Sequence, residues 1–226
     1  MKLTSAVLAL ALTAGAPAFA QDMNPAPAPS SDSDPSGLMP KIGHLDVRVT
    51  GASQQLLFYV GVGVNADYAL LPLGPLALTV GGEFNYDTCF LGCIAAGAIL
   101  NQKITDRTFT PAARVTLHFP LGQFSHQPVD VYALVSGGVL IATHSAEDLG
   151  GQWSWRGTAI GPAIGGGLGG NYMWGNFFFT GTEITAAYTA YSYTPELTSG
   201  TVTVPQEERT MSGTNLLVRV FLGLRF

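Results

Sequence analysis

The sequence predicts an all-β protein, an eight-stranded antiparallel up-and-down transmembrane β-barrel, and three observations carry that expectation. Eight segments alternate apolar and polar residues with the period of two that a strand imposes when one face meets an apolar phase. Charged residues make up only 11% of the chain, against about a quarter in ordinary soluble proteins, while glycine reaches 28 residues. Every charge inside a strand core falls on the face opposite the apolar row. No stretch beyond the N-terminus offers the ~20 continuous apolar residues of a spanning helix, so a closed sheet is the membrane solution this composition allows.

The chain opens with a cleavable-signal pattern over residues 1–20: Lys2, an apolar run, and the small-x-small ending Ala18-Phe19-Ala20. Gln21 rather than cysteine follows, which disfavours a lipoprotein. Residues 21–40 are rich in Pro, Ala, Ser and Asp and read as a flexible periplasmic leader, because they cannot bury enough apolar surface to offset ordering. The barrel is then expected over residues 41–226, with no further domain after it.

The first strand is His44–Thr50, with Leu45, Val47 and Val49 against Asp46 and Arg48. A tight turn is expected at Gly51–Gln54. Next come Phe58, Val60, Val62, Val64, Ala66 and Tyr68 against Tyr59, Asn65 and Asp67, then a Pro/Gly turn at Leu71–Gly74. The third strand sets Leu76, Leu78, Val80, Phe84 and Tyr86 against Thr79, Glu83 and Asn85. A long connection follows, Cys89–Arg107. A rival register would make Ile94–Leu100 a strand in place of the first, but that run does not alternate while His44–Thr50 does.

In the fourth strand Ala113, Val115, Leu117 and Phe119 oppose Arg114, Thr116 and His118. In the fifth, Val131, Ala133, Val135, Val139 and Ile141 share a face. The sixth has Ile160, Pro162, Ile164, Leu168 and Tyr172 on one side and only alanine and glycine on the other, with a bulge or break expected at Pro162, which has no N–H for the ladder. Phe178, Ile184 and Tyr188 oppose Phe179, Glu183 and Thr185 in the seventh. The eighth, Leu216–Phe226, sets Val218, Val220, Leu222 and Leu224 against Arg219 and Arg225. Short links at 71–74, 120–127 and 172–175 sort to one end, and longer ones at 89–107, 145–154 and 192–212 to the other, as in outer-membrane barrels.

Aromatic residues gather near strand ends: Tyr68, Phe119, Tyr172, Trp174 and Phe226 at the short-turn end, and Phe58, Tyr86, Phe109, Trp153, Trp155, Tyr188 and Tyr191 at the other. Two girdles around an aliphatic band fit a bilayer with two interfaces. From Leu45 to Phe226 the chain resembles the small eight-stranded Gram-negative outer-membrane barrels typified by outer membrane protein A and the opacity proteins. That resemblance implies a cell-surface protein of the outer membrane, in contact with its lipid and lipopolysaccharide. It also implies that Phe226, closing an alternating strand, is the signal read by the barrel-assembly machinery.

The interior is narrow, so its charges need partners. Asp46, Arg48, Glu83, Arg114, His118, Glu183 and Arg219 are expected to form a cross-lumen charge network, with Tyr132 or Phe221 filling the space left by the glycine-rich sixth strand. A structural or surface-interaction role without catalysis follows, with residues 89–107 and 192–212 as the candidate contacts for an extracellular ligand. The alternatives are a narrow pore for small solutes, a lipid A-modifying enzyme using His144, Ser145, Glu147 and Asp148, and a soluble lipid carrier, which would need an apolar cavity. Cys89 and Cys93 read as a small disulfide loop, with a helical turn or a metal pair as the other uses of their spacing. No cofactor or metal is expected, and a formal charge of −5 argues against nucleic acid.

Overall fold

The fold is that of a computed structural model, which describes residues 40–54, 58–124 and 127–226. The expected signal at 1–20, the leader to residue 39, and His126 lie outside the described residues. Among the described residues ten strands and one helix follow in order: β1 (Leu45–Gln54), β2 (Tyr59–Leu73), β3 (Leu76–Cys89), α1 (Leu91–Leu100), β4 (Gln102–Phe124), β5 (Gln127–Asp148), β6 (Trp153–Met173), β7 (Phe178–Tyr193), β8 (Glu196–Ser199), β9 (Val202–Pro205) and β10 (Arg209–Arg225).

Eight of these close a ring: β1 to β7 pair in sequence and β10 returns between β7 and β1. Every pairing is antiparallel. At the seam Leu45 N–H donates to Phe226 O at 3.1 Å and Phe226 N–H donates to Leu45 O at 2.9 Å. Closure leaves the wall no open edge, which is the one sheet arrangement that satisfies its own backbone in hydrocarbon.

The pleat sends the two faces of each strand to different surroundings. Outward, Val62, Leu168 and Val220 are 62%, 67% and 59% exposed; inward, Arg114 and Glu183 are 1% exposed. Burying arginine and glutamate while presenting valine and leucine is the reverse of a water-soluble fold, and it excludes both the sandwich and the apolar-cavity carrier. Phe58, just before β2, and Tyr68, inside it, are both exposed and are separated by roughly the 9–11 residues that a tilted strand needs to cross the hydrocarbon. Among the described residues no helix is long and apolar enough to cross a membrane, which says nothing of strands.

Several boundaries differ from expectation. Gly51–Gln54 is not a turn but the upper end of β1, paired with both β10 and β2, because two flanking ladders outweigh the turn preference of a lone glycine. The first short turn tightens to Gly74-Pro75, with Gly74 at φ +65°, a conformation that glycine adopts without strain. At Pro162 the expected local break is present and no bulge accompanies it: β6 keeps its pairing with β5, while the ladder to β7 is interrupted between Ile160 and Ala163, in unchanged register. The missing N–H removes a bond without shifting the strand.

The connections expected as long loops carry structure of their own. Residues 91–100 form α1, and β4 begins at Gln102, pairing with β5 up to Asp148. Residues 192–212 hold the β8–β9 hairpin, turned at Gly200 (φ +60°), and β8 pairs with the outer end of β6 from Trp153 to Arg156. Trp153, Trp155 and Tyr191 do not join the outer girdle. They occupy odd positions of β6 and β7, whose outward rows are even; Trp155 packs edge-on to Tyr193 at 5.9 Å and Tyr191 lines the lumen mouth.

Candidate functional site

At mid-height the lumen is crossed by one ion-pair network. Arg114 contacts Glu183 at 2.9 Å, Glu83 at 3.3 Å and Asp67 at 3.3 Å. Arg219 contacts Glu183 at 2.6 Å and Glu83 at 3.3 Å, and Arg48 pairs with Asp67. The Tyr132 hydroxyl accepts from Arg48 Nη1 at 3.1 Å and donates to Glu183 Oε2 at 3.1 Å. Three cations face three anions, all buried, so the layer is neutral and each charge has a counter-charge where water is scarce.

The participants come from β1, β2, β3, β4, β5, β7 and β10, that is, from every wall strand but β6. What β6 contributes is space. The facing pairs Tyr132–Gly169, Phe221–Gly181 and Phe179–Gly223 each lay an aromatic ring on a glycine of the next strand, where an added methyl would collide with the ring. The three rings surround the Arg48 guanidinium, with centroids 5.3 Å (Tyr132), 6.0 Å (Phe179) and 5.2 Å (Phe221) from its carbon. Arg48 thus has an aromatic cage on one side and a carboxylate on the other.

Of the seven residues expected in the network, Arg48, Glu83, Arg114, Glu183 and Arg219 meet; Asp46 and His118 do not reach them. They sit nearer the short-turn end, two and four positions along their strands from Arg48 and Arg114. There Arg225 donates to both oxygens of Asp46 at 2.7 Å, and His118 Nδ1 lies 2.5 Å from Asp130, which also accepts from Asn171 Nδ2 at 3.2 Å. His44, just outside β1, is held below the ordinary imidazole value, first by burial and then by the charge of Arg225.

Sequence reasoning missed Asp67, Asp130, Tyr132 and Arg225 as partners. All four lie on inward rows, and that alternation is the signal that could have found them; which inward residue meets which depends on register.

Beyond the network, toward the long-loop end, the lumen opens into a cavity of about 260 Å³. Its floor is Glu83 and Arg219, and its rim reaches Tyr59, Tyr191 and Met211. On the wall, Tyr59 donates to Asp106 Oδ2 at 2.5 Å and His144 Nδ1 lies 3.0 Å from Asp106 Oδ1. The His144 ring stacks on Tyr191 with centroids 5.8 Å apart.

The residues weighed for catalysis do not assemble. His144 faces the lumen; Ser145, next to it, faces out, pairing in register with Thr105 and Arg156. Glu147 is bound to Arg156 at 3.3 Å, and Asp148 accepts from the Gln152 amide at 3.4 Å. Cys89, the last residue of β3, and Cys93, in the first turn of α1, are joined as a disulfide with Cα atoms 5.6 Å apart. Among the described residues no cluster of three or more metal-binding side chains occurs. The Phe226 ring is 68% exposed at the seam.

No protein family and no curated protein matches the sequence. Among solved structures, the chain is similar to a major outer membrane protein from Thermus thermophilus at 12% identity, over 81% of this chain and 99% of that one, with a TM-score of 0.55. It also matches Ail, the attachment invasion locus protein of Yersinia pestis, at 12% identity over 82% and 100% of the two chains with a TM-score of 0.46. A third match is the N-terminal β-barrel domain of Pseudomonas aeruginosa OprF, at 12% identity over 81% and 98% with a TM-score of 0.38. The first of these carries the likeness of fold, and at this identity the likeness is of fold alone.

Proposed function

We propose that this chain is an integral outer-membrane β-barrel with a plugged lumen, acting in a structural or surface-interaction role rather than as a catalyst. The observation that carries the reading is the inside-out distribution of charge: a neutral ion-pair layer across the lumen inside a wall of exposed aliphatic side chains. In such a protein the outer end would meet ligands, and α1 and the β8–β9 hairpin are the ordered elements there.

Outer-leaflet lipopolysaccharide is the proposed lipid partner on one side. Arg107, Thr143 and Thr158 form one outward row, and Thr105, Ser145 and Arg156 the next, just beyond Phe109 and Ile160 of the apolar band. Two guanidinium groups flanking hydroxyls at that height suit phosphate. Phe226 is proposed as the residue that the assembly machinery reads. A lipid-modifying activity finds no support in the placement of His144 and Ser145 on opposite faces.

The test is heat-modifiability in isolated outer membranes. A folded barrel migrates differently on SDS gels before and after boiling, and co-fractionation with that shift is the expected result. Recovery as a soluble periplasmic protein with no shift would sink the reading.

A further inference from the structure

At the short-turn end the wall carries apolar side chains past its aromatic girdle, and two bulges contribute to them. The β2–β3 register shifts between Ala69 and Leu71, and the β4–β5 register between Pro120 and Gly122. In each bulge the extra residue is a leucine, Leu70 and Leu121, 47% and 67% exposed. Just past β6, Trp174 is exposed too, yet its indole N–H donates to Thr180 Oγ1 at 2.9 Å and needs no water. Ile42 and Phe226 are exposed at the seam of β1 and β10. Three hairpin turns and the seam thus place apolar surface all round the ring.

Leu70, Leu121 and Trp174 follow Tyr68, Phe119 and Tyr172 by two residues each. In a tilted strand that step is about 5 Å along the barrel axis, within the depth of one headgroup layer of a bilayer. Charge is missing from all three turns: no Asp, Glu, Lys or Arg stands between Asp67 and Glu83, between Arg114 and Asp130, or between Arg156 and Glu183. A turn in water gains nothing from outward leucines, and apolar surface repeated in this way marks a contact.

We propose that the short-turn rim is a lipid-binding skirt, immersed in the headgroup layer of the inner-leaflet phospholipid. It continues the exposed aliphatic band above it, and its presence at every turn favours a partner that surrounds the barrel over a protein docked on one side. Lys41, exposed beside Ile42, suits the lipid phosphate. The skirt presupposes the outer-membrane barrel and adds a phospholipid partner at its inner rim.

The test uses the full chain refolded into phosphatidylcholine nanodiscs, with leucine and valine methyls labelled for NMR and a gadolinium chelate in the water. Val64, on the outward row of β2, is the bilayer reference, and Val202, on the β8–β9 hairpin, is the water reference; both are exposed. Immersion by ~5–10 Å is expected to make chelate-induced relaxation at Leu70 and Leu121 roughly fivefold weaker than at Val202, with cross-peaks from both leucines to lipid protons. Relaxation at Leu70 and Leu121 equal to that at Val202, with Val64 still protected, would overturn the skirt and leave the barrel standing. Relaxation at Val64 as strong as at Val202 would overturn both. A discrete protein adduct formed in intact outer membranes by a photoreactive residue in place of Leu121 would also overturn the skirt, because the rim would then be a protein dock.

Discussion

The side chain on which the lumen turns is Arg114, because it touches all three acids of the central layer. Arg114→Met keeps most of the volume and leaves Asp67, Glu83 and Glu183 short of a counter-charge. Removing one partner of a buried pair costs about 3–5 kcal/mol, so urea unfolding in micelles, followed by tryptophan fluorescence, is expected to show a loss of that order. A change under about 1 kcal/mol would mean the layer is solvated. The inward positions of Glu83, Arg114, Glu183 and Arg219 were legible in the sequence because alternation alone assigns a face. Their pairing was not. Whether Arg48 meets Asp67, and whether Phe179 meets Gly223, is fixed by inter-strand register and barrel stagger, which a single strand's pattern does not encode.

At the scale of elements, the wall strands were readable and the outer connections were not. The wall strands have an apolar phase on one side, which writes a period of two into the residues. Helix α1 has no such constraint: it has no charge, no side-chain cap at Phe90 and little difference between its faces, so its sequence resembles an apolar loop. The hairpin left a clearer trace, since Thr201–Pro205 alternates after a glycine. The disulfide closes a loop of only a few residues, worth about 2 kcal/mol at most by loop entropy. Cys89→Ser/Cys93→Ser is therefore expected to leave the heat-induced mobility shift intact while protease nicking between residues 90 and 101 accelerates. Failure of the double variant to insert would show instead that α1 is needed to form the barrel.

For the whole molecule the decisive property is that seven of the eight wall strands contribute side chains to one closed layer. Purified barrel in planar bilayers is expected to show no single-channel steps. Replacing Arg48, Glu83 and Tyr132 together by alanine removes groups from three strands and is expected to produce small discrete conductances. Steps of the same size in the unaltered protein would refute the plug. The exposed band and the buried charges are two results of one alternation, which is why architecture could be inferred from composition and period, whereas the cavity beyond the ion-pair layer required coordinates.

The seam between β1 and β10 bears on how the molecule is made. Asp46 and Arg225, which clasp across it, are 179 residues apart in sequence, and the central layer draws on both seam strands through Arg48 and Arg219. A half-built sheet that entered the bilayer early would carry arginines and glutamates whose counter-charges had not arrived, at a cost of several kcal/mol for each unpaired ion. Insertion and ring closure are thereby coupled into one late, cooperative event, with slow kinetics set by the longest contacts in the chain.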